Sequence, residues 1–422
     1  MGFVFAWFAL LLSCASGPEA PPPAPVPSEW PAVILNGDFA DPTIVRDGED
    51  FYLTHSSFNA VPGLPIWHSR NLKEWRMITR ALNDYVGNIW APDIVKHEQL
   101  FYIYFPAAGT NWVGDGVLAS GSLKSKPVDL KVGGIDPGHV AGPDGKRYLH
   151  LSAGKAVELA ADGLSVVGEP KTVYEGWKYP ADWVVECFCL ESPKLAMRDG
   201  RYYLTSAQGG TAGPATSHMV VLARSDSPLG PWENSPLNPV LRTASAAEKW
   251  WSKGHGTPFD AGNDKWFLVY HAFENGFRTL GRQVLMEPIE WTPEGWYRTA
   301  RPDSEPFEPR LIRNHQILSD DFSGAELKLQ WQFDGSQLAP GYLLKDGQLT
   351  LPSLANRMAV LYTQTGDHDY EASVRFMCRR APIETGLVAY FGPENFVGIG
   401  RGANATTLFR GGEAVVDVPH RL

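Results

Sequence analysis

The feature of this sequence that most constrains its fold is an internal repeat centred on a proline. In each copy the proline precedes a short apolar strand, a turn and an aromatic-rich strand; the first copy runs from Pro42 to the aromatic pair Phe51-Tyr52. Several of the turns are Asp-Gly pairs, which are a strong signal for a β-hairpin. The repeat prolines are Pro42, Pro92, Pro137, Pro193 and Pro258.

The spacing of the repeat indicates the architecture. Successive repeat prolines are 50, 45, 56 and 65 residues apart, and four-stranded propeller blades usually recur every ~40–50 residues. The 42 glycines and 34 prolines favour many turns. The sequence therefore predicts an all-β protein with a five-bladed β-propeller over residues 33–308. The alternative is a β-sandwich whose repeats resemble one another by chance.

A second region of alternating strands and turns follows the repeats. It begins near Asp320-Asp321-Phe322 and shows no evident closing strand before Leu422. We predict a concanavalin-like β-sandwich module over residues 319–422, and we expect this module to be truncated.

The N-terminal sequence is typical of an export signal. Residues 3–12 form an apolar run too short to span a bilayer, but of a length that suits a signal-peptide core. Leu11-Leu12-Ser13-Cys14 resembles a bacterial lipobox, so we predict a signal peptide with lipobox over residues 1–14 and a proline-rich tether over residues 15–32. This predicts a periplasmic or cell-surface bacterial lipoprotein anchored through Cys14. The alternative is a plain signal peptide in which Cys14 is incidental.

Charge and cysteine content exclude some classes of function. The formal net charge of −10 argues against a nucleic-acid partner, because such proteins place Lys and Arg against phosphates. The cysteines after Cys14 lack the spacing of a zinc site. Cys187 and Cys189 are too close in sequence to predict an ordinary disulfide bridge.

Acidic residues recur at one position of the repeat. Asp41 and Asp136 directly precede their repeat prolines, and the fourth repeat has Ser192 there with Glu191 one residue earlier. Since the first strand of each propeller blade lines the channel, equivalent positions converge in space. We therefore expect three carboxylates at one mouth of the channel; the alternative is that each Asp-Pro pair only shapes a turn.

Three carboxylates suit the hydrolysis of a glycosidic bond. One carboxyl group must protonate the leaving oxygen while a second stays ionised to activate water or attack carbon. A third carboxylate raises the pKa of the acid through like-charge repulsion. The constellation Asp41, Asp136 and Glu191 supplies these three groups and predicts a glycosidase.

Several segments, spread from about residue 34 to residue 297, resemble glycoside hydrolase family 43 of the xylosidase and arabinofuranosidase type. The C-terminal region is also similar to the sandwich appended to xylosidase-type members. The matching segments include Asn36-Gly37-Asp38-Phe39-Ala40-Asp41-Pro42, Ile89-Trp90-Ala91-Pro92, Ile135-Asp136-Pro137, Glu191-Ser192-Pro193, Gly254-His255-Gly256 and Gly281-Arg282-Gln283.

The resemblance implies an inverting mechanism with a role for each carboxylate. Asp41 is expected to be the general base, Glu191 the general acid and Asp136 the residue that modulates the acid's pKa. A rival acid is Glu186, because Glu186-Cys187 is similar to the acid motif of related fructan hydrolases. The repeat register favours Glu191, since it precedes a repeat proline and its hairpin.

The resemblance also suggests residues that bind the substrate. Arg282 is expected to contact sugar hydroxyls next to the cleaved bond, with a surface salt bridge as the alternative. Trp90 and Phe58 lie near segments that face the channel, and from this position they are expected to stack on a sugar ring. His255 is expected to reach the channel, where relatives hold a calcium ion through a histidine and waters. No cofactor is expected to be required.

The predicted function is exo-acting, inverting release of terminal xylose or arabinofuranose from plant-polysaccharide-derived oligosaccharides. One alternative is a β-galactosidase-type member of the same family. Another is a non-catalytic carbohydrate-binding propeller. A fructan-type hydrolase is disfavoured, because the other motifs of that group are missing from this sequence.

Overall fold

The fold contains strands and no α-helix in the ranges that the structure covers, so the all-β prediction is confirmed. Two short 3-10 helices, Arg278–Leu280 and Gly335–Gln337, interrupt the strands there. In the same ranges no helix is long and apolar enough to cross a membrane. The predicted signal peptide, its lipobox and most of the tether lie outside the described residues. The computed structural model describes residues 30–117, 122–123, 126–300, 313–314, 318–337, 341–351, 358–376, 385–401, 405–411 and 413–419.

The first two repeats each form a separate sheet, and each first strand begins directly after its repeat proline. Their neighbouring strands are antiparallel, apart from one short parallel pairing at the edge of the first sheet. The first sheet contains Thr43–Asp47, Asp50–Thr54, Gly63–Ser69, Glu74–Leu82 and Arg313–Asn314. The second contains Asp93–His97, Leu100–Ala107, Thr110–Val117, Ser122–Leu123 and Val128–Asp129.

The remaining three repeats form three further antiparallel sheets. The third sheet contains Gly138–Ala141, Arg147–Leu151, Lys155–Leu159 and Val166–Thr172. The fourth contains Glu191–Arg198, Arg201–Gln208, Met219–Ser225, Glu233–Asn234 and Leu241–Arg242. The fifth contains Ala32–Leu35, Trp250–Asp260, Trp266–Glu274, Arg282–Trp291 and Tyr297–Thr299.

The five first strands contact one another in a closed ring. Each contacts the first strand of the next sheet, and Trp250–Asp260 of the fifth sheet contacts Thr43–Asp47 of the first. Ala32–Leu35 pairs with Arg282–Trp291, so the start of the described chain completes the last sheet. This arrangement brings residues that are more than 200 positions apart, such as Asp41 and His255, to one central axis.

The apolar core lies between neighbouring sheets. Phe51 of the first sheet meets Phe259 of the fifth edge to face, with ring centroids 6.0 Å apart. Trp67 and Trp75 belong to the same cluster and are fully buried. Burial of such large rings stabilises each contact between sheets, since apolar surface contributes about 25 cal/mol per Å² removed from water. The first strands are therefore held rigidly, and so are the side chains at their ends.

The C-terminal region contacts the first repeat. Gln332–Asp334 pairs with Ala60–Val61 and with Leu361–Tyr362. The sandwich predicted over residues 319–422 and the domain boundaries stay predictions. The other strands of this region are Leu343–Lys345, Gln348–Thr350, Thr385–Gly392, Asn395–Arg401, Ala405–Arg410 and Glu413–Pro419.

Candidate active site

Three repeats share an unusual backbone conformation before their prolines. Asp41, Asp136 and Ser192 have φ angles of 61°, 54° and 52°. Non-glycine residues seldom adopt this left-handed region, and such strain tends to persist at functional sites. The carboxylates of Asp41 and Asp136 are both buried. The equivalence inferred from the sequence repeat is thus also present in the backbone.

The imidazole of His255 contacts all three predicted carboxylates. Its Nδ1 lies 3.5 Å from Asp41 Oδ1, whereas its Nε2 lies 3.6 Å from Asp136 Oδ2 and 3.3 Å from Glu191 Oε1. The structure therefore places Asp41, Asp136, Glu191 and His255 together.

The same imidazole limits the distance between the predicted base and acid. Asp41 contacts one ring nitrogen and Glu191 the other. With contacts this short on both sides of one five-membered ring, the two carboxylate oxygens cannot be further apart than the upper end of the range of about 6.5–9.5 Å for inverting pairs.

Asp41 lies among groups that favour its ionised form. Arg282 Nη1 donates to Asp41 Oδ1 at 2.9 Å, and Ser56 Oγ donates to Oδ2 at 2.5 Å. Burial opposes the charge of Asp41, but the attraction of Arg282 and His255 outweighs it and holds the pKa well below its usual range. Burial lowers the pKa of His271 to about 3, so this neutral ring accepts the backbone N–H of Asp41 at 3.1 Å.

The pKa of Asp136 is shifted in the opposite direction to that of Asp41. Burial raises its pKa to about 7; His255 opposes this rise, whereas the charges of Glu191 and Asp41 add to it. Ser192 N donates to Asp136 Oδ2 at 3.1 Å, which fixes this carboxyl group beside the residue that follows Glu191. The surroundings of Asp41 thus favour its ionised form, whereas burial favours the protonated form of Asp136.

His255 carries the positive charge that balances these groups. Burial disfavours its charged form, but Asp41 and Asp136, together with Glu191, raise its pKa to about 9. At neutral pH the imidazolium therefore lies between the three carboxyl groups.

A calcium ion does not match the donors found here. The only cluster of three ligand-type side chains found among the described residues is Glu191, His218 and His255, with donor atoms within 4.8 Å of one another. Calcium prefers six to eight oxygen ligands, whereas this set offers two imidazoles and one carboxylate. The calcium ion predicted with His255 stays a prediction, and no step below depends on it.

Arg282 lies beside Phe58, and the backbone of Phe58 pairs next to Trp90. The Arg282 guanidinium is 5.8 Å from the centre of the Phe58 ring. The backbone of Phe58 bridges to Ile89, and the next residue, Trp90, is 45% exposed. Arg282 thus pairs with the buried Asp41 and not with a surface acid.

Glu186 belongs to a separate environment. Its Oε2 accepts the backbone N–H of Ala212 at 2.7 Å, and its own N–H donates to Ser217 Oγ at 2.8 Å. Within the described part of the chain its carboxylate has no contact with the three grouped carboxylates.

The prediction about the neighbouring cysteines was wrong, because Cys187 and Cys189 form a disulfide across one intervening residue.

Sequence reasoning missed a buried ion pair at the centre of the ring. Lys194 Nζ donates to Asp93 Oδ1 at 3.0 Å, and to the carbonyl oxygens of Pro92 and Pro137 at 2.8 and 3.1 Å. Both charged side chains are almost fully buried. The signal was present, since Asp93 and Lys194 directly follow repeat prolines. The pair joins the second, third and fourth sheets next to Asp136.

Replacing Lys194 with methionine is expected to destabilise the fold by about 3–5 kcal/mol, because the buried Asp93 keeps its hydrogen bonds from Thr43 and His139 but loses the cation that balances its charge. Denaturant unfolding followed by tryptophan fluorescence measures the change. The double variant Asp93→Asn/Lys194→Met removes both charges and should recover much of the loss. A single variant as stable as the unmodified protein would contradict this assignment.

Buried carboxylates beside an arginine in an all-β fold are the groups that glycosidic hydrolysis uses, and the comparison with known families identifies the class. The sequence model of glycosyl hydrolases family 43 matches residues 31–297. The chain belongs to this family, whose members hydrolyse glycosidic bonds, and the resemblance inferred from the motifs is confirmed.

Characterised relatives support the same placement. A xylan 1,3-β-xylosidase of a Vibrio species is 30% identical over 311 residues, which are 63% of this chain and 56% of that protein. A non-reducing end α-L-arabinofuranosidase of Bacteroides ovatus is 29% identical over 400 residues, 84% of this chain and 72% of its own. The crystal structure of a xylan β-1,4-xylosidase from Bacillus halodurans matches with a TM-score of 0.75 and 25% identity, covering 92% of this chain and 84% of that one. The chain thus spans little more than half the length of the Vibrio relative.

Proposed function

We propose that this chain is an exo-acting, inverting glycoside hydrolase that releases terminal xylose or arabinofuranose from plant-polysaccharide-derived oligosaccharides. The observation that carries the proposal is the grouping of Asp41, Asp136 and Glu191 around His255. One of these groups is held ionised beside Arg282, which is what a general base requires.

The proposed scaffold is a five-bladed β-propeller. Its support is the closed ring of first strands and the apolar clusters between neighbouring sheets. Each of the five sheets corresponds to one proline repeat. The C-terminal region is proposed to be a sandwich module.

The chemistry proceeds in one displacement. A water molecule beside Asp41 gives a proton to its carboxylate while the water oxygen forms a bond to the anomeric carbon. The bond from that carbon to the glycosidic oxygen breaks, and Glu191 donates its proton to the departing oxygen. Asp136, which contacts the same ring nitrogen of His255 as Glu191, is proposed as the residue that modulates this acid. Attack from the face opposite the leaving group inverts the anomeric configuration.

Arg282 and the nearby aromatic residues are proposed to hold the terminal sugar. The guanidinium of Arg282 offers several N–H donors in a fixed plane, which suits neighbouring sugar hydroxyls as well as Asp41. Phe58 offers a flat apolar surface beside the guanidinium, and the half-exposed Trp90 follows the backbone partner of Phe58. This side of the site is thus proposed to bind the sugar that is released.

The choice of sugar rests on the relatives, whose names include xylosidases and arabinofuranosidases. A galactose-specific enzyme and a sugar-binding protein without catalysis remain the alternatives. The ionised Asp41 beside Arg282 favours catalysis over binding alone. The apolar run of residues 3–12 and Cys14 support export and a lipid anchor as part of the proposal.

Release of nitrophenol from the arabinofuranoside, xyloside and galactoside distinguishes these functions. Turnover of the first or second substrate supports the proposal, turnover of the galactoside alone favours the galactosidase, and turnover of none contradicts catalysis. Proton NMR of the first product formed reports the anomeric configuration, which should be opposite to that of the substrate.

A further inference from the structure

Four aromatic side chains outside the core form a cluster beside the predicted acid. We call Trp177, Tyr179, Trp183 and Phe188 the aromatic rim; they lie on the segment that joins the third sheet to the fourth. The Tyr179 ring stacks on Phe188 with centroids 5.9 Å apart and lies parallel to Trp183 at 6.4 Å. Trp177 meets Trp183 edge to face at 6.0 Å.

The rim is open to solvent, unlike the aromatic residues of the core. Phe188 is 43% exposed and the other three rings are half-buried, whereas Trp67 and Trp75 are fully buried. Partly exposed aromatic rings that pack on one another, and not in a core, are typical of surfaces that bind ligands. Their flat apolar faces suit the C–H faces of sugar rings.

Hydrogen bonds to the backbone of the rim hold it next to Glu191. Trp177 and the buried Gln208 exchange two bonds, of 2.8 and 3.1 Å. Gly209 N donates to the carbonyl oxygen of Phe188 at 3.2 Å. Gln208 and Gly209 directly follow Ala207, the strand partner of Glu191. The residues that hold the rim are therefore one and two positions along the chain from the partner of the predicted acid.

Two further contacts fix the conformation of the aromatic rim. The disulfide between Cys187 and Cys189 closes the turn that carries Phe188. The Arg242 guanidinium lies 3.5 Å from the centre of the Trp183 ring, an arrangement in which a cation is attracted to the aromatic face. The rim is thus preorganised, which lowers the entropic cost of binding.

The position of the rim determines which part of a substrate it meets. Asp41 and Arg282 lie at the first and fifth sheets, whereas Glu191 and the rim lie at the fourth sheet. A general acid protonates the glycosidic oxygen, so the leaving sugar lies on the acid's side of the cleaved bond. We propose that the aromatic rim binds the leaving-group side of an uncharged oligosaccharide by stacking on the sugar rings beyond the cleaved bond. This proposal rests on the proposed function, because that function supplies the direction of the substrate.

The test compares a long substrate with a short one. In Tyr179→Ala and Phe188→Ala, the ratio of kcat/KM for a tetrasaccharide to kcat/KM for the matching nitrophenyl glycoside should fall about fivefold to tenfold, as expected for the loss of one aromatic contact. The tetrasaccharides are xylotetraose and 1,5-linked arabinotetraose. Tyr179→Phe keeps the ring and should keep the ratio. Phe391→Ala is the matched control, since Phe391 is 87% exposed on the C-terminal strands.

A second measurement separates this proposal from the proposed function. Calorimetric titration with both tetrasaccharides, carried out in the Asp41→Ala background with and without each of the two rim substitutions, gives Kd without turnover. A several-fold weaker Kd in the variants supports the aromatic rim even if no glycoside is hydrolysed, in which case only the proposed function fails. An unchanged ratio and an unchanged Kd overturn the proposal for the rim and leave the proposed function in place. Equal losses on long and short substrates also overturn it.

Discussion

Replacing Asp41 with alanine is expected to lower kcat for glycoside hydrolysis by about 10²–10⁴-fold, the usual contribution of a positioned general base. The physical reason is that the attacking water then has no ionised carboxylate to take its proton. Arg282 and His255, which hold the pKa of Asp41 well below its usual range, cannot replace it because both carry positive charge at neutral pH. Initial rates with the best nitrophenyl glycoside measure the loss.

Sodium azide provides a sharper test of the role of Asp41. Azide is a small anionic nucleophile that needs no base, so it should restore much of the rate in Asp41→Ala and yield a glycosyl azide of inverted configuration. Asp47→Ala is the matched control: Asp47 ends the strand that begins beside Asp41, and it pairs with Lys96 outside the site. The control should keep its activity. Full activity in Asp41→Ala, or an azide product with retained configuration, would overturn the assignment.

Most of what could be predicted from the sequence was inferred from the proline repeat. The proline register placed Asp41, Asp136 and Ser192 at one position, and their shared left-handed φ shows the same equivalence in three dimensions. The prediction was possible because residues at the same position of each repeat lie at the same place on a strand, and therefore reach the central axis together. The all-β fold followed from the same regularity.

Partners across the central axis could not be predicted in the same way. His271 accepts the Asp41 N–H, although it lies on a second strand and not on a first strand of the ring. A sequence pattern fixes the side of a strand that a residue occupies, but it does not fix how far the side chain reaches across the channel. Lys194 and Asp93 follow repeat prolines, yet only the structure shows that their charges meet.

The bridge between Cys187 and Cys189 was missed for a related reason. A separation of two residues excludes the pairing in an extended chain, but the left-handed conformation of Cys189, with φ of 40°, turns the backbone at this point. The local turn could not be inferred from residue types. It matters because the same turn carries Phe188 and separates Glu186 from Glu191.

Replacing Glu191 with glutamine is expected to lower kcat on an oligosaccharide by about 10²–10⁴-fold. An unactivated sugar cannot depart as an alkoxide, so its oxygen requires the proton of Glu191. A nitrophenolate departs without protonation, and the loss on a nitrophenyl glycoside should therefore be at least about tenfold smaller. Rates on a disaccharide and on the nitrophenyl glycoside of the same sugar measure this difference, which the loss of a merely structural residue would not produce.

Glu186→Gln is the matched control, because it removes a second carboxylate five residues away by the same substitution. The carboxylate of Glu186 accepts the N–H of Ala212, so an amide in its place loosens that loop but leaves the grouped carboxylates intact. The two substrates should then be affected alike and only slightly. The opposite result would be a large loss of kcat for Glu186→Gln on the disaccharide but not on the nitrophenyl glycoside, with Glu191→Gln still active. In that case Glu186 would be the acid. The proton would then have to reach the glycosidic oxygen from a residue that precedes the first strand of the fourth sheet, Glu191–Arg198.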